Sequence, residues 1–283
     1  MELINIIKRM KNVITKSNDI DLGRLEHINL LQNHFNKQHF TPLPDGWIIK
    51  SPDFVGVSSP KAGTSWWYSL IRNHPQVVSN RLNKKELSFF YHMGANMISD
   101  YMADIYRQAF ASPEGSICGE WSPSYLWYPF CIENLFKTAP DTKIIVMLRN
   151  PIDRYRSHIN QFYRGLHLNV SCSRETEDII MKFWGFPDAI EQGVVYGGLK
   201  KLLSFTDRNN ILMLQYEKCK ADKNNQIART YKFLGIDDTF LPENKNRQVN
   251  SIDETLAAYY ADDVKKTAEL FPEIDLALWH DFS

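Results

Sequence analysis

Five consecutive apolar residues, Ile144–Leu148, limit what this chain can fold into more than any other feature. An uninterrupted apolar run of this length, bounded by the charged residues Lys143 and Arg149, is typical of a strand that is buried on both faces. Pro151 then opens a helical pattern, and proline is favoured at the first position of a helix. Buried strands that alternate with helices predict an α/β fold with a parallel β-sheet flanked by helices on both faces.

The same alternation runs along most of the chain. We predict strands at 53–59, 74–79, 115–122, 142–150 and 210–217, and helices at 65–73, 98–112, 131–140, 151–165, 175–184, 187–204, 224–235 and 251–271. A capping box, Ser251 to Glu254, marks the start of the last helix. Residues 1–45 predict two further helices, so we expect an N-terminal helical extension, 1–45, followed by a single domain, 46–283.

The segment SSPKAGTSWW, residues 58–67, joins the first of these strands to a helix. A loop of this kind can bind an anion with the free backbone N–H groups at the helix start. In a Walker A loop the lysine follows the last glycine directly, whereas here Lys61 stands two positions before Gly63. The segment therefore predicts a phosphate site of another type, with an ordinary strand–helix turn as the alternative.

A second candidate phosphate site follows the buried strand, in LRNPIDRYRSH. P-loop nucleotide hydrolases use an aspartate near this place to organise Mg²⁺. This strand ends in Arg149, and Ser157 lies two turns into the following helix. The pair suits a second phosphate that is bound without a metal, and we predict no metal site. A surface arginine and an ordinary helix serine are the alternative.

Bulk properties exclude several classes of protein. The chain has 33 basic and 33 acidic residues, which argues against a dedicated nucleic-acid binder. Its four cysteines form no C-x-x-C pair, so we expect reduced, buried thiols. No apolar run approaches the ~20 residues of a membrane-spanning helix.

Together, PKAGTSW and LRNPIDRYRSH resemble the 5′- and 3′-phosphate-binding motifs of sulfotransferases that use 3′-phosphoadenosine 5′-phosphosulfate (PAPS). The resemblance runs from about Asp53 to the C-terminus and implies the P-loop-type sulfotransferase fold, with PAPS as the donor and 3′-phosphoadenosine 5′-phosphate as its product. The residues that it assigns to the donor are Lys61, Ala62, Gly63, Thr64, Ser65, Trp66, Arg149, Ser157 and Tyr196.

Within that set the resemblance implies distinct roles. Lys61 contacts the 5′-phosphate and the bridging oxygen, and so stabilises the leaving group. Trp66 stacks on the adenine, and Tyr196 reaches the same ring. Arg149 and Ser157 hold the 3′-phosphate.

The segment KKELSFFYH, residues 84–92, resembles the KExxFF stretch of glycosaminoglycan sulfotransferases. In that branch the glutamate is the general base, so the resemblance makes Glu86 the candidate base here. His92 is the rival base. From residue type alone, Glu86 could equally be a solvated glutamate in a charged run, and His92 a polar loop residue.

The segment GEWSPSYLWYP, residues 119–129, resembles EKTPSY of the same branch, but Trp121 stands where that branch has a lysine beside donor and acceptor. A positive charge is therefore missing. Trp121, Tyr125, Trp127 and Tyr128 predict an aromatic wall for a compact or planar acceptor, with packing in the core as the alternative.

The family's C-terminal basic loop at the 3′-phosphate is also missing, and NKNRQVNS, with Lys245 and Arg247, is the candidate replacement.

We therefore expect a metal-independent transferase that moves a sulfuryl group from PAPS to a hydroxyl or amine of a small molecule. The chain starts at a methionine without the N-terminal anchor of Golgi sulfotransferases, which predicts a cytoplasmic enzyme. Exposed aromatic residues would suit a homodimer. The alternatives are a carbohydrate O-sulfotransferase, an ATP-dependent small-molecule kinase and a catalytically inactive scaffold.

Overall fold

The structure is a computed structural model that describes residues 42–94, 97–165, 187–242 and 254–282. Its main sheet has five strands, and a separate antiparallel pair has two. In chain order the strands are β1 (Trp47–Ile48), β2 (Phe54–Ser58), β3 (Val77–Val78), β4 (Ser112–Pro113), β5 (Ile117–Trp121), β6 (Lys143–Leu148) and β7 (Ile211–Gln215).

The five-stranded sheet has the order β3-β5-β2-β6-β7, and every pairing in it is parallel. β2 lies at the centre, where Phe54 pairs with Gly119 of β5 on one side and with Lys143 of β6 on the other. β1 and β4 form the separate antiparallel pair, with Trp47 opposite Pro113. The predicted α/β class with a parallel sheet is confirmed.

Helices follow most of the strands. They are α1 (Thr64–Arg72), α2 (Phe89–His92), α3 (Asp100–Gln108), α4 (Pro129–Thr138), α5 (Pro151–Gly165), α6 (Pro187–Glu191), α7 (Tyr196–Leu203), α8 (Tyr216–Ala221), α9 (Lys223–Leu234) and α10 (Glu254–Leu270). Short 3₁₀ helices lie at Pro123–Leu126, Arg208–Asn210 and Leu276–Leu278. None of the helices among the described residues is both long and apolar enough to cross a lipid bilayer.

Helices cover the sheet on both faces. Successive residues of a strand point to opposite faces, so one strand can contribute side chains to two cores. In β6, Ile144, Val146 and Leu148 join one core, which also contains residues of α3, α4, α5, α7 and α10. Ile145 and Met147 join a second core with residues of α1, α8 and α9. This burial on both sides accounts for the uninterrupted apolar run in the sequence.

Several predicted elements have other bounds in the structure: the strand predicted at 74–79 is limited to β3, and the helix predicted at 98–112 ends at Gln108, before Ser112 in β4. Two further differences concern the site. The helix expected over 187–204 is divided into α6 and α7, because the carboxylate of Asp263 accepts hydrogen bonds from the backbone N–H groups of Val195 and Tyr196, at 3.0 Å each, and so starts a new helix. The strand expected over 210–217 ends at Gln215, and Tyr216 already begins α8.

Other predictions fall outside the described residues. These are the two N-terminal helices, the helix at 175–184, Ser251 of the capping box, and Lys245 with Arg247. The division of the chain into 1–45 and 46–283 therefore stays a prediction.

Candidate active site

Two loops with predicted phosphate contacts leave neighbouring strands at one edge of the sheet. β2 and β6 pair up to Ser58 and Met147. After β2 the chain continues to β3 and β5 on one side, whereas after β6 it continues to β7 on the other. Ligands of parallel sheets bind in the crevice that opens where connections diverge in this way. The loops with Lys61 and Arg149 meet there, since Nη1 of Arg149 donates to the carbonyl oxygen of Lys61 at 3.4 Å.

The loop after β2 turns into α1 at Gly63. Its φ of 90° lies in the left-handed region, which favours glycine. A Cβ at this position would lie 2.5 Å from Cδ2 of Tyr216, so the ring also requires the absence of a side chain. Because the N-cap is a glycine, its own side chain cannot cover the first N–H groups of α1. Such a helix start can bind an anion.

A cavity of about 550 Å³ lies over the crevice. Its volume is in the range of about 300–1,000 Å³ that is usual for ligand pockets. The predicted site residues that line it are Lys61, Gly63, Thr64, Ser65, Trp66, Glu86, His92, Arg149 and Ser157. The structure thus brings together residues that are up to 96 positions apart in the sequence, Lys61 and Ser157 among them.

Two predicted donor contacts do not line this cavity. Ala62 is fully buried and belongs to the core that α1 shares with α9. Tyr196 begins α7, and its ring lies 5.9 Å from Nζ of Lys266. A contact between Tyr196 and adenine therefore stays a prediction without support from the cavity.

Arg149 is held in place by an aromatic ring and by the start of α5. Its guanidinium lies 4.8 Å from the ring centre of Tyr216, a favourable cation–π distance. Asn150 caps α5 by accepting from the backbone N–H of Ile152 at 3.0 Å. Nε of Arg149 is buried and has no hydrogen-bond partner among the described residues. A buried donor without a partner is stabilised by a hydrogen-bond acceptor. A phosphate oxygen in the cavity would be such an acceptor.

The predicted base, Glu86, borders the cavity from the segment between β3 and α2. Its side chain is about half exposed, at 49%, and Oε1 accepts from Nζ of Lys85 at 2.7 Å. Lys85 also donates to the hydroxyls of Thr64, at 2.9 Å, and Ser65, at 3.1 Å. His92 ends α2 and lies on the same cavity. Glu86 and the start of α1 are thus joined by the ammonium group of Lys85.

A buried carboxylate fixes the segment that carries Glu86. Oε2 of Glu120 accepts from the backbone N–H of Leu87 at 3.0 Å and from the hydroxyl of Ser122 at 2.6 Å. Oε1 accepts from the hydroxyls of Tyr106, at 2.6 Å, and Tyr125, at 3.1 Å. Burial raises the pKa of Glu120, although these four hydrogen bonds lower it.

Two of those hydroxyls extend the network to the next residues. The hydroxyl of Ser122 accepts from the backbone N–H of Ser88 at 2.9 Å, and that of Tyr125 accepts from the N–H of Phe89 at 2.8 Å. Three successive N–H groups, at 87, 88 and 89, are therefore held by Glu120 directly or through one hydroxyl. Ser88 has a φ of 48°, so this network holds a backbone conformation that is unusual outside glycine.

The structure corrects the predicted aromatic wall. Trp121 and Tyr125 are fully buried and do not line the cavity. The indole of Trp121 packs over Gly56 of β2, where a Cβ would lie 2.1 Å from Cδ2 of the ring, and Nε1 donates to the hydroxyl of Ser58 at 3.1 Å. Trp121 therefore belongs to the core. Tyr91 is an aromatic residue that does border the cavity.

Several lining residues were missed in the sequence. They are Pro60, Lys85, Ser88, Tyr91, Pro123, Ser124, Gln161 and Tyr216. Lys85 is adjacent to Glu86 and could have been found from that position. Gln161 lies one helical turn beyond Ser157, a spacing that puts both residues on one face of α5. In the part of the chain that the structure describes, no group of three or more His, Cys, Asp or Glu residues could hold a metal ion.

Comparisons with known proteins agree with the fold. The crystal structure of a sulfotransferase from Alicyclobacillus acidocaldarius has a TM-score of 0.64 and 25% sequence identity, covering 82% of this chain and 100% of that one. The membrane-associated sulfotransferase kil1 of Dictyostelium discoideum is 29% identical over 136 residues, which are 48% of this chain and 28% of that protein. A 3-alpha-hydroxysteroid sulfotransferase of Cavia porcellus is 21% identical over 71% of this chain and 65% of its own length.

The chain thus spans less than two thirds of the length of these two curated relatives. The family model for the sulfotransferase domain matches residues 51–266, which include both phosphate motifs and Glu86. The prediction of a transferase class is confirmed at the level of the family. The match covers more than half of the chain, and the chain therefore belongs to the sulfotransferase family.

Proposed function

We propose that this protein transfers a sulfuryl group from PAPS to a hydroxyl or amine of a small-molecule acceptor. One observation carries the proposal. A single cavity of about 550 Å³ gathers the loop from Lys61 to Trp66, the carboxylate of Glu86, and the pair Arg149 and Ser157. These are the residues to which the sequence resemblance gives the donor and the proton acceptor.

The cavity suits a donor with two separate phosphates. The uncovered start of α1, with the hydroxyls of Thr64 and Ser65, would hold the 5′-phosphate. The unpartnered Nε of Arg149 supports a second anion site, at which Ser157 would add a hydroxyl. Trp66 would stack on the adenine. When bound, PAPS supplies an activated sulfuryl group, so the protein has to provide orientation, charge and a proton acceptor.

In this mechanism Glu86 accepts the proton of the acceptor while the bond between sulfur and the acceptor oxygen or nitrogen forms. The bond between sulfur and the 5′-phosphate oxygen breaks, and its electron pair stays on that oxygen. Lys61 stabilises the negative charge that develops there. Preorganised charges of this type supply a large share of catalysis in related group transfers. His92 borders the same cavity and is the alternative base.

The size of the cavity favours a compact acceptor, because the donor alone would fill much of about 550 Å³. The segment with Glu86 resembles the glycosaminoglycan branch, and this favours a carbohydrate as the second candidate.

Cys118, Cys131 and Cys219 are buried free thiols, which supports a reducing, cytoplasmic location.

The test is transfer of label from ³⁵S-PAPS to a panel of phenols, alcohols, amines and oligosaccharides, in the presence of EDTA. We expect a labelled product with at least one small hydroxyl or amine compound. Labelling of oligosaccharides alone would favour the carbohydrate candidate. Transfer of phosphate from ATP, abolished by EDTA, would contradict the proposal and indicate a kinase.

A further inference from the structure

Asn150 joins the predicted 3′-phosphate site to the helix that follows it. The residue is only 1% exposed. Its side-chain oxygen accepts from the backbone N–H groups of Ile152, at 3.0 Å, and Asp153, at 3.3 Å. Its carbonyl oxygen accepts from the N–H of Arg154 at 2.9 Å. These contacts fix Asn150 at the start of α5, directly after Arg149.

Two carboxylates hold the hydrogen-bond donors of Asn150. The backbone N–H donates to Oε1 of Glu217 at 3.0 Å, and Nδ2 donates to Oδ2 of Asp281 at 2.9 Å. Oε2 of Glu217 accepts from Nε1 of Trp279 at 2.9 Å. Because an ionised carboxylate can only accept hydrogen bonds, Asp281 also determines which end of the Asn150 amide is the donor.

The start of α8 contacts both residues of the loop that follows β6. The ring centre of Tyr216 lies 4.8 Å from the guanidinium of Arg149. The next residue, Glu217, holds the N–H of Asn150. Consecutive residues of α8 thus position the consecutive residues Arg149 and Asn150.

The two carboxylates are unexpected beside a site that should bind an anion. Negative charges repel a phosphate, and Glu217 interacts with the charge of the site. Burial raises the pKa of Glu217, whereas the hydrogen bond from Asn150 and the charge of Arg149 lower it. Neither Glu217 nor Asp281 lines the cavity. Their contribution to the site is therefore the contact with Asn150.

We propose that Glu217 and Asp281 are positioning residues for the second phosphate of the donor. The inference rests on the proposed function. Both carboxylates act through Asn150, whose backbone determines where the guanidinium of Arg149 lies against Tyr216. A group that binds a ligand keeps its productive geometry only when the residues behind it are held in this way.

The test compares Glu217→Met with Trp279→Phe. Methionine keeps the length of the side chain but has no oxygen, so Asn150 loses its acceptor. Phenylalanine removes the indole N–H that donates to the other oxygen of Glu217 and leaves the contact with Asn150 in place. Each variant is titrated by calorimetry with 3′-phosphoadenosine 5′-phosphate and with adenosine 5′-monophosphate, which lacks the 3′-phosphate.

A positioning role predicts a loss that depends on the ligand. We expect Glu217→Met to bind 3′-phosphoadenosine 5′-phosphate about tenfold more weakly, the effect of losing one hydrogen bond to a charged group. It should bind adenosine 5′-monophosphate as tightly as the wild type. Trp279→Phe should match the wild type for both ligands, even if it unfolds at a lower temperature. Asp281→Ala removes the second acceptor, should show the same selective loss to a smaller extent, and tests the inference even if Glu217→Met does not fold.

The results separate the failure of this inference from that of the proposed function. Unchanged binding of 3′-phosphoadenosine 5′-phosphate by either folded variant, Glu217→Met or Asp281→Ala, would overturn the inference. An equal loss for both ligands would also overturn it, because it indicates a general structural role. So would a selective loss in Trp279→Phe as large as that in Glu217→Met, since the contact with Asn150 would not be its cause. If the wild type bound both ligands equally well, the second phosphate would have no site and the proposed function itself would fail.

Discussion

The substitution Glu120→Gln tests whether a buried carboxylate positions the base. Glutamine has nearly the volume of glutamate, so the change removes acceptor capacity without leaving a cavity. Glu120 accepts four hydrogen bonds, from Leu87, Ser122, Tyr106 and Tyr125. The amide oxygen of glutamine can replace two of these acceptor contacts, but its NH₂ group is a donor, so the two groups that donated to the other carboxylate oxygen lose their acceptor.

The expected magnitude follows from this count. Two of the four hydrogen bonds are lost, and each contributes about 1 kcal/mol. We therefore expect the free energy of unfolding to fall by about 2 kcal/mol. Because the same network holds the backbone N–H groups at 87, 88 and 89, Glu86 should also shift relative to the start of α1. A displacement of a catalytic group by about 1 Å can lower turnover by ~10²-fold, so a loss of at least about tenfold is expected.

The assay combines urea unfolding with sulfuryl transfer, and Tyr231→Phe is the control. The hydroxyl of Tyr231 is buried, donates to the carbonyl oxygen of Leu70 at 2.9 Å, and lies away from the cavity. Its loss should cost about 1 kcal/mol of stability and leave turnover within a factor of two. The reasoning would be refuted if Glu120→Gln were as stable as the wild type. It would also be refuted if this variant lost stability but kept full turnover.

Other predictions concern charge, backbone conformation and pH. Lys61→Ala should lower kcat by ~10²–10³-fold, the usual effect of removing a group that stabilises transition-state charge, and steady-state turnover within a factor of two of the wild type would contradict its role. Gly63→Ala should lower the free energy of unfolding by at least about 1–2 kcal/mol, because φ is 90° and the new Cβ would lie 2.5 Å from Tyr216; an unchanged urea midpoint would count against the turn geometry. Burial raises the pKa of Glu120, so the folded protein keeps this proton to a higher pH than the unfolded chain does. The stability of the wild type relative to Glu120→Gln should therefore fall as the pH rises above about 4.5. A difference in the free energy of urea unfolding that stayed constant from below pH 4.5 up to pH 7.5 would disprove this.

Local patterns in the sequence were sufficient for the architecture. The apolar run Ile144–Leu148 predicted a strand buried on both faces, and β6 indeed contributes residues to two separate cores. The segment after β2 predicted a phosphate loop, and Gly63 has the positive φ that such a turn requires. Patterns of this kind depend on neighbours within a few positions, so they can be read without knowing how distant segments meet.

Contacts between distant strands could not be predicted in the same way. Trp121 was interpreted as part of an acceptor wall, but the register of β5 on β2 places its ring over Gly56. Glu120 has a role only because Tyr106 and Leu87 come from other elements to reach it. Lys85 was not singled out in the sequence, since its contact with Thr64 depends on how the segment after β3 lies against α1.

Tyr216 illustrates a further limit, which concerns element boundaries. It follows the apolar run of β7 directly and was assigned to the strand, yet it is the first residue of α8. In that position its ring contacts Arg149 and leaves room only for a glycine at 63. A shift of one residue at the end of a strand therefore decides whether a side chain enters the core or the site.

The central claim is that one cavity holds a doubly phosphorylated adenosine between two motifs. Its most direct test is a crystal structure of the protein with 3′-phosphoadenosine 5′-phosphate. We predict density for one phosphate at the start of α1, within hydrogen-bond distance of the N–H groups and hydroxyls of Thr64 and Ser65, and for the other beside Arg149 and Ser157. An empty cavity at saturating ligand, or a nucleotide bound with neither phosphate at these residues, would contradict the account.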